Sequence, residues 1–283
     1  MIRLGLLGWP VSHSLSPKLQ NAALNSVGLK WEYQLFPIDP AQPEKFGELI
    51  NKVRIGDLAG LNVTIPYKQA VIPYLDELTA TARRIGAVNT IYMREGCLIG
   101  HNTDAPGFQS DLLNKGGKII NIPRVAMVLG AGGSARAVIY ALLGMSWKVI
   151  IAARKLDQAR NLSLSIVQDP NTDKTECITL DSESLLPYIH QVNLVINTTP
   201  VGMYPKVESS PWPESLLFPV DAFVYDLIYN PSKTLLVEQA QKAGLSAVNG
   251  LGMLVEQASL AFEIWTGKPA PREVMYSVVG IVK

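Results

Sequence analysis

Residues Val125 to Ala135 read Val-Ala-Met-Val-Leu-Gly-Ala-Gly-Gly-Ser-Ala, and this stretch decides the fold. The first five residues form an apolar run suited to a strand buried on both faces. The glycines that follow fit the turn of a dinucleotide fingerprint. Gly130 and Gly132 let the backbone turn tightly and approach a pyrophosphate, and Ala135 fills the third small position. A helix is expected to open here, which makes Gly130, Ala131, Gly132, Gly133, Ser134 and Ala135 the candidate phosphate-side residues. Most of a domain precedes the motif, so a substrate site must draw on sequence from both sides of it.

Outward from the turn, Ala135, Val138, Ile139, Leu142 and Leu143 share one helical face, and Gly144 falls where a C′ glycine would end the helix. Trp147 to Ala153 reads as the second strand. Enzymes that bind NAD place an acidic residue after this strand to hold the ribose hydroxyl; here Arg154 and Lys155 stand instead. An acid would repel a 2′-phosphate and two cations attract it, so the expected cofactor is NADP.

Composition narrows the class. A chain of 283 residues suits two domains of ordinary size, and a net charge of +1 offers no electrostatic footprint for nucleic acid or an anionic membrane. Cys97 and Cys177 have no second ligand at metal-site spacing, and His13, His101 and His190 are scattered, so neither a metal site nor a disulfide scaffold is expected. No signal peptide is expected, because Pro10 and Ser12-His13-Ser14 follow only a short apolar stretch. Arg136, Lys148 and the glycines interrupt the apolar segment from Val125 to Ala153, which a strand-helix-strand reading explains better than a membrane span. The expectation is a soluble cytoplasmic protein, and the sequons at Asn62, Asn161 and Asn197 carry no weight.

The chain alternates strands and helices from its start. Before the fingerprint, strands are expected at Ile2–Leu7, Trp31–Phe36 and Leu61–Ile65, and helices at Pro17–Val27 and Pro43–Val53. One helix is expected from about Tyr67 to Ile85, broken near Pro73, followed by a hairpin of Val88–Met93 and Cys97–Gly100 around Glu95-Gly96. After Arg154, strands near Cys177–Leu180, Leu194–Asn197, Phe223–Leu227 and Ser246–Val248 bring the second set to six, the count of a doubly wound dinucleotide fold. Leu251 to Lys283 reads as two helices without a further strand, crossing back to pack on the first domain and close a cleft. The fold class is therefore α/β: an N-terminal α/β substrate domain of residues 1–104 completed by 250–283, and a doubly wound Rossmann domain of residues 105–249.

Polar residues gather at strand ends and helix starts, where open α/β sheets bind ligands. In Gly8 to Pro17, Ser16 before Pro17 reads as an N-cap with proline at N1. Ser14 is not needed for that cap; with Ser16 it offers two hydroxyls at a helix start, a place for a substrate carboxylate. Lys68, in Asn62 to Lys68, falls in the first turn of a helix, where the macrodipole disfavours a cation unless it has an anionic partner. Thr64 beside it, with Asn89-Thr90 and His101 to Asp104 from the hairpin, could supply that neighbourhood, while Asp104 reads equally as a loop or cap residue. Tyr229-Asn230-Pro231-Ser232-Lys233 matches the Tyr-x-x-x-Lys of short-chain dehydrogenases, but Pro231 forbids the continuous helix that motif needs and makes a helix start instead.

Several motifs, in order, then carry a resemblance. They are Ser14 to Pro17, Asn62 to Lys68, Gly86 to Thr90, Gly100 to Asp104, Gly130 to Ser134, Asn197 to Pro200, Asp226 to Pro231, and Gly250 to Leu254 with Gln257. Together they resemble the shikimate dehydrogenase family across nearly the whole chain. The resemblance implies reversible NADPH-dependent reduction of 3-dehydroshikimate to shikimate, in aromatic amino-acid biosynthesis. By position it makes Lys68 and Asp104 the catalytic pair and Ser14 and Ser16 the carboxylate ligands, with Tyr229 nearby. Thr64, Asn89, Asp104 and Gln257 match residues that bind ring hydroxyls, and Thr198, Leu227 and Gly250 match cofactor contacts. The family often has Asn before Arg154, where this chain has Ala153, which removes one contact on the adenosine side. Two rivals remain open: a quinate/shikimate dehydrogenase with broader substrate or NAD use, and a silent ligand-binding homologue. Arg154-Lys155 opposes the first, and retention of Lys68 and Asp104 opposes the second. A monomer or a homodimer fits equally.

Overall fold

The computed structural model describes residues 2–115, 124–167 and 174–281; the extreme ends named in the expected domain bounds lie outside them. The described residues are α/β, and the chain forms two compact units, Met1–Gly107 with Leu254–Lys283, and Phe108–Met253.

In the first unit, β1 (Ile2–Gly8) lies between β2 (Trp31–Pro37) and β3 (Gly60–Val63), parallel to both. The sheet continues through β5 (Thr90–Arg94), β6 (Cys97–His101) and the short β4 (Glu77–Leu78), in the order β2-β1-β3-β5-β6-β4. β5 runs antiparallel to both β3 and β6. Glu95 and Gly96 both take left-handed backbone at the hairpin turn, the geometry that matches the strand twist. One face buries Leu49, Ile50 and Val53 of α2 (Pro43–Arg54) against Leu61, Val63 and Ile91. The other face buries Leu4 and Leu6 under α1 (Ser16–Ser26), α10 (Leu251–Thr266) and α11 (Arg272–Val278), through Leu19, Ala23, Val255, Phe262 and Met275.

The expected helix over 67–85 is not continuous. It divides into α3 (Tyr67–Ala70), a 3₁₀ turn (Ile72–Tyr74), strand β4 and α4 (Ala80–Ile85). Pro73 ends the first piece, and pairing of Glu77 with Ile99 and Leu78 with Gly100 draws the chain into the sheet edge. Tertiary pairing overrides local periodicity here.

The second unit is a six-stranded, wholly parallel sheet in the order β12-β11-β10-β7-β8-β9. Its strands are β7 (Val125–Leu129), β8 (Lys148–Ala153), β9 (Thr175–Thr179), β10 (Leu194–Asn197), β11 (Phe223–Asp226) and β12 (Ala247–Val248). The order reverses between β7 and β10, where Leu129, Asn197 and Asp226 lie in register at the carboxyl edge. That reversal opens a crevice beyond the strand ends.

Helix α6 (Gly133–Gly144) buries Ala135, Val138, Ile139 and Leu142, as the periodicity predicts. Gly144 is not its C′ residue, however. It is the last helical position, Met145 is the C-cap, and Ser146 takes the left-handed conformation at φ 64°. The expected helix start at Pro231 is also displaced: α9 (Leu235–Lys242) begins later, with Thr234 Oγ1 accepting from Val237 N as its N-cap. No continuous helix joins Tyr229 to Lys233. Among the described residues no helix is long and apolar enough to cross a membrane, no cluster of side chains suits a metal ion, and Cys97 and Cys177 are free thiols.

Candidate active site

Lys68 is the second residue of α3, whose first residue anchors the turn: Tyr67 is buried, stacks on Phe46 with ring centres 4.8 Å apart and donates to Ile38 O at 2.7 Å. Lys68 O accepts from Val88 N at 2.7 Å, which fixes its backbone. Its ammonium, itself buried, donates to Asp104 Oδ2 at 2.6 Å. Asp104 opens α5 (Asp104–Lys115), but the capping is done by Asn102 Oδ1, which accepts from the backbone N–H of Asp104 (3.1 Å) and Ala105 (3.2 Å). The Asp104 carboxylate is thus left for Lys68 and for Asn89, whose Nδ2 donates to Asp104 Oδ1 at 2.9 Å. A buried ammonium and carboxylate hold each other in place at short range because each would be costly to bury alone.

Asn89 is itself held from several directions. Its Oδ1 accepts from Thr103 N at 2.8 Å, its Nδ2 also reaches Thr103 Oγ1 at 2.9 Å, and its carbonyl accepts from Asn62 Nδ2 at 3.1 Å. Tyr33 donates to Asn62 Oδ1 at 2.8 Å and Asn62 Nδ2 also reaches Thr90 Oγ1 at 3.2 Å, which extends the chain of polar contacts across β2, β3 and β5. Asn62, Asn102 and Thr103 stand inside the quoted motifs, yet nothing in residue type alone separates a positioning amide from a substrate ligand.

Of the residues expected to meet substrate, Ser14, Ser16, Thr64, Asn89, Asp104 and Gln257 belong to the first unit and Tyr229 to the second. Gln257, on α10, donates to Leu254 O at 2.8 Å and places Oε1 3.4 Å from Asn89 Nδ2. Thr64 follows β3, half-buried, its N–H donating to Leu7 O at 2.8 Å. The expected cap at Ser16 is corrected. Leu15 is the N-cap, in αR backbone, and no side chain caps the helix. Ser16 is already helical and buried, and its N–H donates to Ser14 Oγ at 3.2 Å. The helix begins one residue early, so the hydroxyl that serves the backbone is that of Ser14.

The glycine turn has the shape its sequence predicts. Gly130 has φ +109°, and a Cβ there would fall 2.8 Å from Thr198 Oγ1 and 2.9 Å from Thr199 Cγ2, across the sheet reversal. Gly132 is the N-cap of α6 with open space around it and no side-chain cap, so the first-turn N–H groups remain available to an anion. Thr198 fixes itself on Leu129 O through both N (2.9 Å) and Oγ1 (2.7 Å). Gly250 permits a close approach: a Cβ would lie 2.1 Å from Leu227 O. Arg154 and Lys155 are exposed after β8, Lys155 is the N-cap of α7 (Leu156–Ile166), and neither forms an ion pair among the described residues. A cradle that excludes Cβ, an open helix start and two uncommitted cations fit a dinucleotide with a 2′-phosphate.

Comparison with known proteins agrees with this geometry. Residues 6–91 match the shikimate dehydrogenase substrate binding domain, and residues 250–279 match the shikimate 5′-dehydrogenase C-terminal domain. A shikimate dehydrogenase (NADP(+)) of Symbiobacterium thermophilum is 42% identical over 274 residues, covering 96% of this chain and 91% of its own. The crystal structure of shikimate 5-dehydrogenase from Thermus thermophilus with NADP(H) and shikimate is 36% identical, covers 98% of each chain and superposes with a TM-score of 0.84. A quinate dehydrogenase from Corynebacterium glutamicum with NAD is 29% identical over 98% of each chain, with a TM-score of 0.86. Fold similarity alone therefore does not choose the cofactor.

Proposed function

The chain belongs to the shikimate dehydrogenase family, and on that footing we propose that Lys68 and Asp104 are the acid-base pair that reduces 3-dehydroshikimate to shikimate reversibly. The protein is an NADP-dependent oxidoreductase acting on a CH–OH group, as its curated relatives are. The observation that carries the assignment is the buried 2.6 Å contact of Lys68 Nζ with Asp104 Oδ2.

The chemistry that NADPH supplies when bound is a hydride for the carbonyl carbon. Gly130 to Ala135, Thr198, Leu227 and Gly250 would hold it, with Arg154 and Lys155 on the 2′-phosphate. Negative charge then develops on the carbonyl oxygen, and an ammonium is the group able both to stabilise that charge and to give up a proton. One N–H of Lys68 is directed at Asp104, which leaves two donors for the substrate. In the oxidation direction neutral Lys68 takes the hydroxyl proton. Asp104, held by Asn89 on its other oxygen, orients the ammonium and accepts from a neighbouring substrate hydroxyl.

Ser14, Ser16 and Tyr229 are proposed for the substrate carboxylate, and Thr64, Asn89 and Gln257 for the ring hydroxyls. A polyhydroxy acid suits a site built from hydroxyls and amides. The enzyme is proposed to act in the cytoplasm as a monomer or homodimer on this small molecule. Oxidation of shikimate with NADP at alkaline pH tests the reading: turnover in wild type, lost in Lys68→Met, is expected, and no turnover with shikimate would overturn it.

A further inference from the structure

Among the buried carboxylates that the mechanism leaves unused is Asp226. Asp226 ends β11, fully buried, in register with Asn197 at the end of β10. Its Oδ1 accepts from Asn197 Nδ2 at 2.9 Å and from Ile228 N at 3.0 Å, and its Oδ2 accepts from Thr234 Oγ1 at 2.6 Å. Each donor belongs to a segment that bears on the cofactor side. Asn197 Oδ1 also takes Thr199 N (2.9 Å) and Thr199 Oγ1 (2.7 Å), and so sets the chain just after Thr198. Ile228 O accepts from Gly250 N at 3.1 Å, beside the close approach of Gly250 to Leu227. Thr234 caps α9.

We infer that Asp226 is a positioning residue for cofactor binding: its ionised carboxylate ties the ends of β10 and β11 to the start of α9 and thereby sets the backbone at Thr198, Leu227 and Gly250. The inference rests on the reading of those three residues as NADP contacts. Three donors converge on one carboxylate, and a neutral side chain of the same shape would reverse the bond to Thr234, whose Oγ1 already accepts from Val237 N, and weaken the other two. The groups facing the carboxylate from β10, from Ile228 and from the start of α9 are an amide, a backbone N–H and a hydroxyl, none of which titrates in the relevant range. No lysine or arginine pairs with it among the described residues. Burial accordingly pushes its pKa up to about 6. A charge kept inside without a counter-ion costs stability, which points to a use for the charge beyond stability.

The test is NADP dissociation measured by calorimetry between about pH 5 and 8, with thermal unfolding of the ligand-free protein, for wild type, Asp226→Asn, Thr234→Val and Thr234→Ser. At the alkaline end Asp226→Asn should bind NADP roughly three- to tenfold more weakly, with shikimate affinity unchanged and unfolding temperature no lower than wild type. The gap should close below about pH 6, because protonated wild type then resembles the variant; comparing the two proteins cancels the titration of the ligand's own phosphate. Thr234→Val should weaken NADP binding and Thr234→Ser restore it, and this pair decides the matter if the Asp226 variant does not fold. Equal NADP affinity of wild type and Asp226→Asn at the alkaline end would overturn the inference, as would a gap that does not change with pH. Wild type that does not bind NADP would overturn the cofactor reading itself, a result visible before any variant is compared.

Discussion

On the proposed mechanism, Lys68 exchanges a proton with a substrate oxygen while Asp104 holds its ammonium at 2.6 Å and Asn89 holds Asp104. Lys68→Met should lower kcat by roughly 10²- to 10⁴-fold with little change in KM for shikimate, the signature of a lost proton donor; near-normal turnover would remove Lys68 from the role. The two serines separate differently from what their order in the sequence suggests. Ser14→Ala loses the hydroxyl that accepts from Ser16 N, so it should cost about 1 kcal/mol of stability as well as raise KM. Ser16→Ala should raise KM with less effect on unfolding, since its hydroxyl caps nothing; the reverse pattern in a melting experiment would restore Ser16 as the cap. For Asp226 the sign of the pH effect follows from a pKa raised from 3.8 to about 6. The folded protein holds the proton more tightly than the unfolded chain, so this group's stabilisation is present below about pH 4 and is lost as pH rises through about 6. The unfolding temperature of wild type relative to Asp226→Asn should therefore fall across that window, and a constant difference would contradict the burial of an unpaired charge. Lys68 stands out in the sequence as a cation at a helix start, whereas Asp104 reads equally as a loop or cap residue, and only the family resemblance pairs the two. Asp226 was not legible, since a buried carboxylate has the same letter as a solvated one.

At the scale of elements, what could be read was whatever an apolar run and its punctuation determine. β7, α6 and β8 follow from Val125 to Ala153 because both strand faces are buried and glycines mark the turn. The segment 67–85 failed this reading, because its outcome depends on β4 pairing with β6, a contact between residues distant in sequence. The end of α6 failed for a smaller reason: Ser146, not Gly144, takes the left-handed position. Gly144 is exposed, helical and has open space where a Cβ would be. Gly144→Ala should therefore stabilise the protein by roughly 0.5–1 kcal/mol in chemical denaturation. A loss of stability would show that Gly144 carries the cap after all.

Across the whole molecule, the division of labour was visible in the order of motifs. Those assigned to substrate fall mostly before the fingerprint and those assigned to cofactor after it, and the strand order of the second unit is the one the fingerprint requires. The identity of the cofactor is a finer matter than the fold, since chains of the same architecture accompany NADP(H) in one relative and NAD in another. It rests on two exposed cations after β8, where each charge-assisted bond to a phosphate contributes roughly 1.5–3 kcal/mol before discounting for solvent. The most direct measurement is kcat/KM for shikimate oxidation by wild type with NADP and with NAD at one ionic strength. A preference for NADP on the order of 10²-fold is expected. Equal efficiencies, or an advantage for NAD, would contradict it.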